Sequence, residues 1–424
     1  MERDIRIACT PSREDVPALQ EEQLLYLLVE ILPATEREEE VRLPLDICLL
    51  LDCSSSMRGD RLFQAKEAAR YVVSQLTPAD HFCLIVFNDR GTLIIPRQPV
   101  QAPAGIREHI AEVQASGGTE MARGLELVLQ QMQQAAAFAG VRRVILLTDG
   151  QTYGDENRCV EMARQIQQAG IGITALGLGD EWNEDLLATI AASGNSRSEY
   201  IAGAEAITPL FREEMRLLQG IVAQGMGLSL RPAMGLTVRN FYRIAPEIAP
   251  LPVQEGWEKE QVVPLGEWMG ADPQVFLAEL VLPPLSPGKL NLLHLSFTYR
   301  LPRERTRQEL RYDLRLPCVA GQAGSPLVPE KVRRALEKVM AYRLQESAWQ
   351  DAGRGNIEQA TRRLQAAATR LIKMGETQLA QVIEEEARRM QTTGRTSSVG
   401  KKEIRYGTQR LGRGWSGRTQ EKRG

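Results

Sequence analysis

The 424-residue chain predicts a doubly wound α/β domain with a mostly parallel six-stranded sheet, inserted in an antiparallel β-sandwich and followed by a C-terminal helical hairpin. Three observations predict it. Between Leu45 and Gln219, continuous apolar runs alternate with amphipathic stretches, as in a parallel sheet covered by helices. From residue 220 the apolar period drops to two, the mark of strands with one wet face. Beyond Pro329 the period returns to that of helices, and Pro329 itself suits a first helical turn. Such a length is also too great for one ordinary domain.

Residues 1–44 hold two strands, IRIAC and QLLYLLVEIL, with no partner before Leu45. They are expected to join the later sandwich, which makes the α/β domain (45–219) an insertion. That domain opens on LDICLLLD (45–52), whose continuous apolar run is expected of a strand buried on both faces. A helix follows, with Leu62, Ala65, Ala68 and Ala69 on one face. Strands then read at HFCLIVFN and GTLIIP, a helix at AGIREHIAEV, and a long helix from Glu120 to Phe138. The strand VRRVILLTD (141–149), a helix through Cys159 to Gln168, the strand IGITALGLG, the helix NEDLLATIAAS, a strand at Glu199–Ile201 and a helix from Ala204 complete six strands with interleaved helices. In the sandwich (220–320), Leu293, Leu295, Phe297 and Tyr299 alternate with His294, Ser296 and Thr298, and Leu310, Tyr312, Leu314 and Leu316 with Arg311, Asp313 and Arg315. MGLSLRP, LTVRNFYRI and QVFLAELVL supply further strands, with PPLSPGK as a turn. Residues 329–390 read as two or three helices broken at AGRGN and MGET.

Composition narrows the function. The 52 Lys and Arg nearly cancel the 54 Asp and Glu, so no whole-chain field favours nucleic acid or an anionic surface. The N-terminus is charged where a secretory signal needs an apolar core, and no run approaches about 20 apolar residues. No membrane span and a cytoplasmic location are therefore expected. The six cysteines form no CxxC pair, which fits reduced thiols and no zinc site. His81, His109 and His294 are isolated from one another.

The chemistry gathers at strand ends. LDICLLLD runs into Asp52-Cys53-Ser54-Ser55-Ser56, and Asp149-Gly150 occupies the same place on VILLTD. Ligands of doubly wound sheets collect outside the carboxyl ends of strands, where the strand order reverses. Ser116-Gly117-Gly118-Thr119 can turn sharply and bring the Thr119 hydroxyl to the same point. Asp52, Ser54, Ser56, Thr119 and Asp149 form a set of hard oxygen donors that suits Mg2+ or Mn2+ rather than zinc or copper. An Mg2+ ion keeps waters, so one position stays open to a carboxylate from another molecule. Asp60, Asp155 and Asp180 read as loop and first-turn residues that complement helix dipoles. Enzymes that use a nucleophilic strand-end Asp carry D-x-D, whereas here the position of the second acid is Ser54; with no P-loop, no nucleophile elbow and no convincing base, no enzymatic activity is expected.

With LLLDCSSSM, RLFQAKEAA, LIVFN, SGGTE, VILLTDGQ and LGLGDEWNEDLLATIA, the segment from Leu45 to Gln219 resembles a von Willebrand factor type A domain with an intact metal-ion-dependent adhesion site. The resemblance implies that Ser54, Ser56 and Thr119 hold the metal directly or nearly so, and that Asp52 and Asp149 act largely through water. It departs from the usual D-x-S-G-S-M in having Ser55 in place of glycine. The larger arrangement is similar to bacterial cytoplasmic proteins of this family and, more distantly, to inter-alpha-trypsin-inhibitor heavy chains. It implies an adaptor that captures a Glu or Asp of a protein partner; the alternative is a regulatory subunit coupled to an AAA+ ATPase, as in metal chelatases, or to kinase signalling.

After Gln391 the apolar content collapses. Residues 391–424 hold nine Lys and Arg against two Glu, so +7 sits in this stretch and −9 in the remainder of the formal −2. A disordered basic tail is expected, with KKEIRYGTQRL as a candidate linear motif whose Thr408 would be phosphorylated and read by a forkhead-associated domain.

Overall fold

The structure is a computed structural model describing residues 5–33, 42–133, 138–152, 154–192, 196–233, 235–256, 260–269, 272–301, 306–320 and 327–415. The chain divides into two compact units, Glu40–Val222 and the combination of Met1–Glu39 with Ala223–Gly424. It opens with β1 (Ile5–Pro11), β2 (Val16–Pro17) and β3 (Gln23–Pro33), which belong to the second of these units.

The α/β unit contains β4 (Leu45–Asp52), α1 (Asp60–Gln75), β5 (His81–Phe87), β6 (Gly91–Pro99), α2 (Pro103–Glu112), α3 (Met121–Gln133), β7 (Val141–Thr148), α4 (Glu156–Gln168), β8 (Gly172–Leu178), α5 (Glu184–Ile190), β9 (Arg197–Ile201) and α6 (Ile207–Gln219). Its sheet has the order β6-β5-β4-β7-β8-β9, with only β6 antiparallel to its neighbour. Every residue of β4, β7 and β8 is buried, which is why residues 47–51, residues 144–147 and most of β8 read as apolar runs, while Asp46, Arg142 and Arg143 are buried as charges. From β4 the chain builds outward through β5 and β6, then crosses to the other flank at β7. The reversal therefore lies between β4 and β7, which pair in parallel from Leu45↔Val141 to Leu51↔Leu147. Two strand ends that carry aspartates are thereby neighbours at the one place where no connection covers the crevice.

An ionic cluster is buried in this unit. Glu214 of α6, 1% exposed, accepts hydrogen bonds from Thr174 Oγ1 at 2.6 Å and Arg197 Nε at 3.0 Å, with Arg143 Nε 3.9 Å away. Burial pushes its carboxyl up, but Arg197 and Arg143 outweigh this and hold it below the usual carboxylate range. A depressed pKa contributes stability above the unfolded value, and that contribution is lost as pH falls through the folded one. Glu214→Gln is expected to cost about 3 kcal/mol at neutral pH and to flatten the acid limb of the stability curve. Denaturant unfolding at a series of acidic pH values checks both; an unchanged acid limb removes Glu214 from it.

The other unit is built on two sheets, antiparallel except where the strand at 308–319 pairs in parallel with the short β2. β10 (Ile221–Pro232), β11 (Thr237–Ala245), β12 (Ala249–Pro250), β13 (Gln254–Glu255), β14 (Gln261–Met269), β15 (Gln274–Leu282), β16 (Gly288–Arg300) and β17 (Gln308–Val319) complete them. One sheet has the order β1-β3-β15-β11-β12, the other β13-β14-β10-β16-β17-β2. β3 pairs with β15 from Gln23↔Leu282 to Ile31↔Gln274, so a strand from before the α/β unit lies against one from after it. In β16, Leu293, Leu295, Phe297 and Tyr299 are all buried, as their alternation requires. β14 is the long strand that the sequence reading passes over. Pro264 and the positive φ of Gly266 (85°) interrupt its pattern, and proline inside an apolar run argues against a strand.

The C-terminal region is larger than a hairpin. It comprises α7 (Glu330–Gly353), α8 (Ile357–Met374), α9 (Thr377–Thr393) and α10 (Ser398–Arg410). Their shared core includes Trp349, Leu364, Leu371, Ile383, Met390 and Ile404, while Val332, Ala335 and Val339 of α7 pack on Leu28, Val275 and Leu277 of the sheet below.

The disordered tail expected over 391–424 is therefore corrected for its described part; residues 416–424 lie outside the described residues. Ser397 caps α10 by accepting from Gly400 N. Ile404, Tyr406, Leu411 and Trp415 are buried, and Trp415 Nε1 donates to Glu30 Oε1 of β3 at 3.2 Å. Four apolar or aromatic anchors scattered among basic residues are enough for a helix where neighbouring elements bury them. The Thr408 phosphosite is corrected with it. Thr408 is fully buried and its hydroxyl donates to Arg405 O at 2.9 Å, so a kinase or a forkhead-associated domain has no access to it in the folded chain. No helix among the described residues is long and apolar enough to cross a membrane.

Candidate metal centre

The five residues expected from the sequence converge beyond the carboxyl ends of β4 and β7. Asp52 is the last residue of β4 and fully buried. Its Oδ1 accepts from Ser54 N at 2.8 Å, which folds the chain back over the strand end, and its Oδ2 accepts from Thr148 Oγ1 of β7 at 2.7 Å. Ser54 and Ser56 bring their hydroxyls within 2.9 Å of each other, and Ser56 Oγ donates to Asp149 Oδ1 at 2.7 Å. A continuous line of oxygens thus runs from Asp52 through the two serines to Asp149. Ser55 opens a short 3-10 turn (Ser55–Met57) with its side chain exposed and its N–H donated to Gly117 O at 3.0 Å. The turn accommodates serine where the family pattern has glycine.

Thr119 completes the set from the other side. Its Oγ1 lies 3.5 Å from where a Cβ on Gly150 would stand, beside Asp149. The 116–119 loop is held by backbone and carboxylate: Ser116 N donates to Cys53 O at 2.8 Å, and Gly118 N to Asp89 Oδ1 at 2.7 Å. Gly117 has φ 78°, and a Cβ there would fall 2.2 Å from Asp89 Oδ2, so both conformation and space demand glycine.

Several positioning residues escaped the sequence reading. Thr152 sets its hydroxyl 3.1 Å from Thr119 O and accepts from Met121 N at 3.2 Å. Asp155 stands at the N-cap of α4, as expected, and also accepts from Ala122 N of α3 at 2.8 Å and from the Thr152 hydroxyl. Asn88 and Asp89 follow β5, and Arg61, in the first turn of α1, pairs with Asp149 Oδ2. Thr148, Asn88 and Asp89 all sit at or just beyond strand ends flanking the reversal, a signal that could have found them. Of the acids set aside, Asp180 accepts from Tyr200 Oη at 3.2 Å and Asp60 is exposed in the first turn of α1.

The donors fit a hard cation. Burial pushes the Asp52 carboxyl up to about 6, against the hydrogen bonds from Ser54 and Thr148 and with the charge of Asp149 adding to the rise. A cation among these oxygens would offset that cost. Cys53 lies between them in sequence, but burial, with Asp52 adding, pushes its thiol up to about 11, so it offers no thiolate. Among the described residues no three His, Cys, Asp or Glu side chains are grouped for a metal. Two carboxylates and three hydroxyls are hard oxygen donors of the kind a divalent cation takes with retained water.

Fold and crevice together define a von Willebrand factor type A domain, and residues 46–209 match that family. Domains of this type typically mediate protein interactions and commonly bind a divalent cation at the metal-ion-dependent adhesion site. Residues 330–414 match the Sll0103-like C-terminal alpha-helical domain, and this match takes in α10. The chain is 29% identical over 372 residues to the uncharacterized protein sll0103 of Synechocystis sp., covering 87% of each. It is 28% identical to the uncharacterized protein YfbK of Escherichia coli over 50% of this chain and 37% of that one. Inter-alpha-trypsin inhibitor heavy chain H1 of Sus scrofa is 26% identical, over 37% of this chain and 18% of that one. Among solved structures, a von Willebrand factor type A protein from Catenulispora acidiphila superposes with TM-score 0.78 at 17% identity, covering 95% of this chain and 96% of that one. The ArnB paralog VWA2 from Sulfolobus acidocaldarius gives 0.59 at 14% identity, covering 97% and 99%. These two likenesses establish the fold over nearly the whole chain.

Proposed function

We propose that the chain is a metal-dependent protein-interaction module, in which a Mg2+ or Mn2+ ion held at the β4/β7 crevice captures a Glu or Asp side chain of a protein partner. The observation that carries this reading is the line of oxygens Asp52–Ser54–Ser56–Asp149 closed by Thr119. Ser54, Ser56 and Thr119 would hold the ion, while Asp52 and Asp149 would orient its waters and balance its charge. The ion would supply a coordination position open to a carboxylate. Around it the protein excludes water at the base, where Asp52, Ser54 and Asp149 are each at most 2% exposed, and leaves the Ser56 and Thr119 rim accessible. An attraction of that kind strengthens as water is displaced. No observation favours a regulatory subunit of an AAA+ ATPase over this reading, and the burial of Thr408 argues against forkhead-associated recognition.

A pull-down from the native host tests the proposal, with wild type and an Asp52→Ala, Ser54→Ala variant, in Mg2+ and in EDTA. Partners are expected only with wild type in Mg2+. The same partners in every lane would mean that recognition does not use the metal.

A further inference from the structure

We infer that Arg61 sets the charge of this crevice, loosening its hold on the cation while strengthening its hold on the carboxylate that the cation captures. The inference rests on the metal-dependent reading above and adds a residue that neither the motif nor the donor set contains. Arg61 stands in the first turn of α1 and directs its guanidinium to Asp149 Oδ2, while Asp149 Oδ1 receives the Ser56 hydroxyl. Both oxygens of that carboxylate are thus engaged, one towards the donor line and one towards Arg61. On its far side the guanidinium lies over the end of β8, with Nη2 3.4 Å from where a Cβ on Gly179 would stand.

Three physical features point away from a simple tether. First, a cation in a first helical turn faces the positive end of the helix dipole, which disfavours it. Second, the Arg61 side chain is 40% exposed while Asp149 is buried, so the guanidinium bridges the base of the crevice and the open rim where an incoming carboxylate would arrive. Third, the charge count changes sign of purpose with Arg61. Counted over the donor set and Arg61 alone, two carboxylates and one guanidinium leave a net charge of −1, which a divalent cation converts to +1; Asp89, which holds the 116–119 loop, lies outside that count. Without Arg61 the loaded crevice would be neutral and would attract an acidic partner only through the ion itself. The planar fork of an arginine is also suited to share a carboxylate with a neighbouring positive centre. The same positive charge repels the cation, so metal affinity and carboxylate affinity are set against each other through one residue.

Opposite signs make the test sharp. The full chain is titrated calorimetrically with Mn2+, alone and with acetate as a carboxylate probe, for wild type, Arg61→Gln, Arg61→Ala and Arg61→Lys. The two neutral variants are expected to bind Mn2+ about three- to tenfold more tightly than wild type, the range set by screening of a partly exposed charge. Arg61→Lys is expected to stay near wild type. Acetate is expected to tighten Mn2+ binding in wild type and in Arg61→Lys more than in the neutral variants, since binding linkage is reciprocal. Neutral variants that bind Mn2+ as wild type does, or more weakly, with wild type still binding, would reduce Arg61 to a tether of Asp149 and overturn this inference alone. No Mn2+ binding by wild type would overturn the metal-dependent reading as well.

Discussion

Deleting residues 398–424 is expected to destabilise the sandwich-and-helix unit by more than about 5 kcal/mol, a large part of the stability of an ordinary domain. Ile404, Tyr406, Leu411 and Trp415 leave their sites in that deletion, and each fully buried side chain of this size contributes roughly 1.5–3 kcal/mol. Backbone contacts go with them: Ile248 N donates to Gln409 O at 2.9 Å, and Lys338 donates to Leu411 O. Gly412 passes so close to β11 that a Cβ would stand 2.1 Å from Ile244 O. Trp415→Ala alone is expected to cost about 3 kcal/mol, partly by taking a hydrogen-bond donor from Glu30, which keeps Lys331 at 3.1 Å. Thr408→Glu, the usual imitation of phosphothreonine, is expected to unfold α10 rather than to recruit a partner, because it places a charge in a fully buried position. Denaturant unfolding and limited proteolysis of the three variants measure this. Wild-type stability in the deletion would mean that the segment is an independent tail after all.

Asp149→Ala is expected to weaken Mn2+ or Mg2+ binding by more than about a hundredfold, and Thr148→Val by about tenfold. The first removes a member of the donor set; the second removes only the hydroxyl that orients Asp52, and such outer partners typically account for 10–100-fold. Asp52→Asn should behave like Asp149→Ala in metal binding yet leave the metal-free protein as stable as wild type or more so. A neutral amide relieves both the burial that raises Asp52 and its repulsion by Asp149. Calorimetry gives the affinities and thermal unfolding in EDTA the stabilities. Affinity retained within tenfold in Asp149→Ala would remove that residue from the site, and a large loss of metal-free stability in Asp52→Asn would make its role structural.

The α/β domain was legible because its strands lie in the interior of a parallel sheet. LDICLLLD and VRRVILLTD carry the apolar runs 47–51 and 144–147, buried on both faces, so each announces itself without reference to the other. The meeting of the two aspartates was legible for a related reason: strand order in this topology returns β7 to the flank of β4, so residues 97 positions apart, Asp52 and Asp149, come together where the two strands pair. β14 was not legible, since Pro264 and Gly266 break the alternation that would have revealed it. Arg61, Asp89, Thr152 and Asp155 were not legible either. A single polar residue in a turn has the same local pattern whether it caps its own helix or holds another loop, and only the approach of that loop distinguishes the two.

The C-terminal segment shows the same division. KKEIRYGTQRL has the composition of a solvated basic tail, and its few apolar residues could not by themselves stabilise an isolated 13-residue helix. The neighbouring helices and the sheet supply what it lacks: a surface on which Ile404, Tyr406 and Leu411 are buried together. Sequence by itself determined the elements whose burial is complete along their own length and the placement of Asp52 and Asp149 at their ends, because both depend on local pattern and on one topological rule. Tertiary structure alone decided which marginal segments are ordered and which charges face one another, because those depend on surfaces contributed by distant parts of the chain.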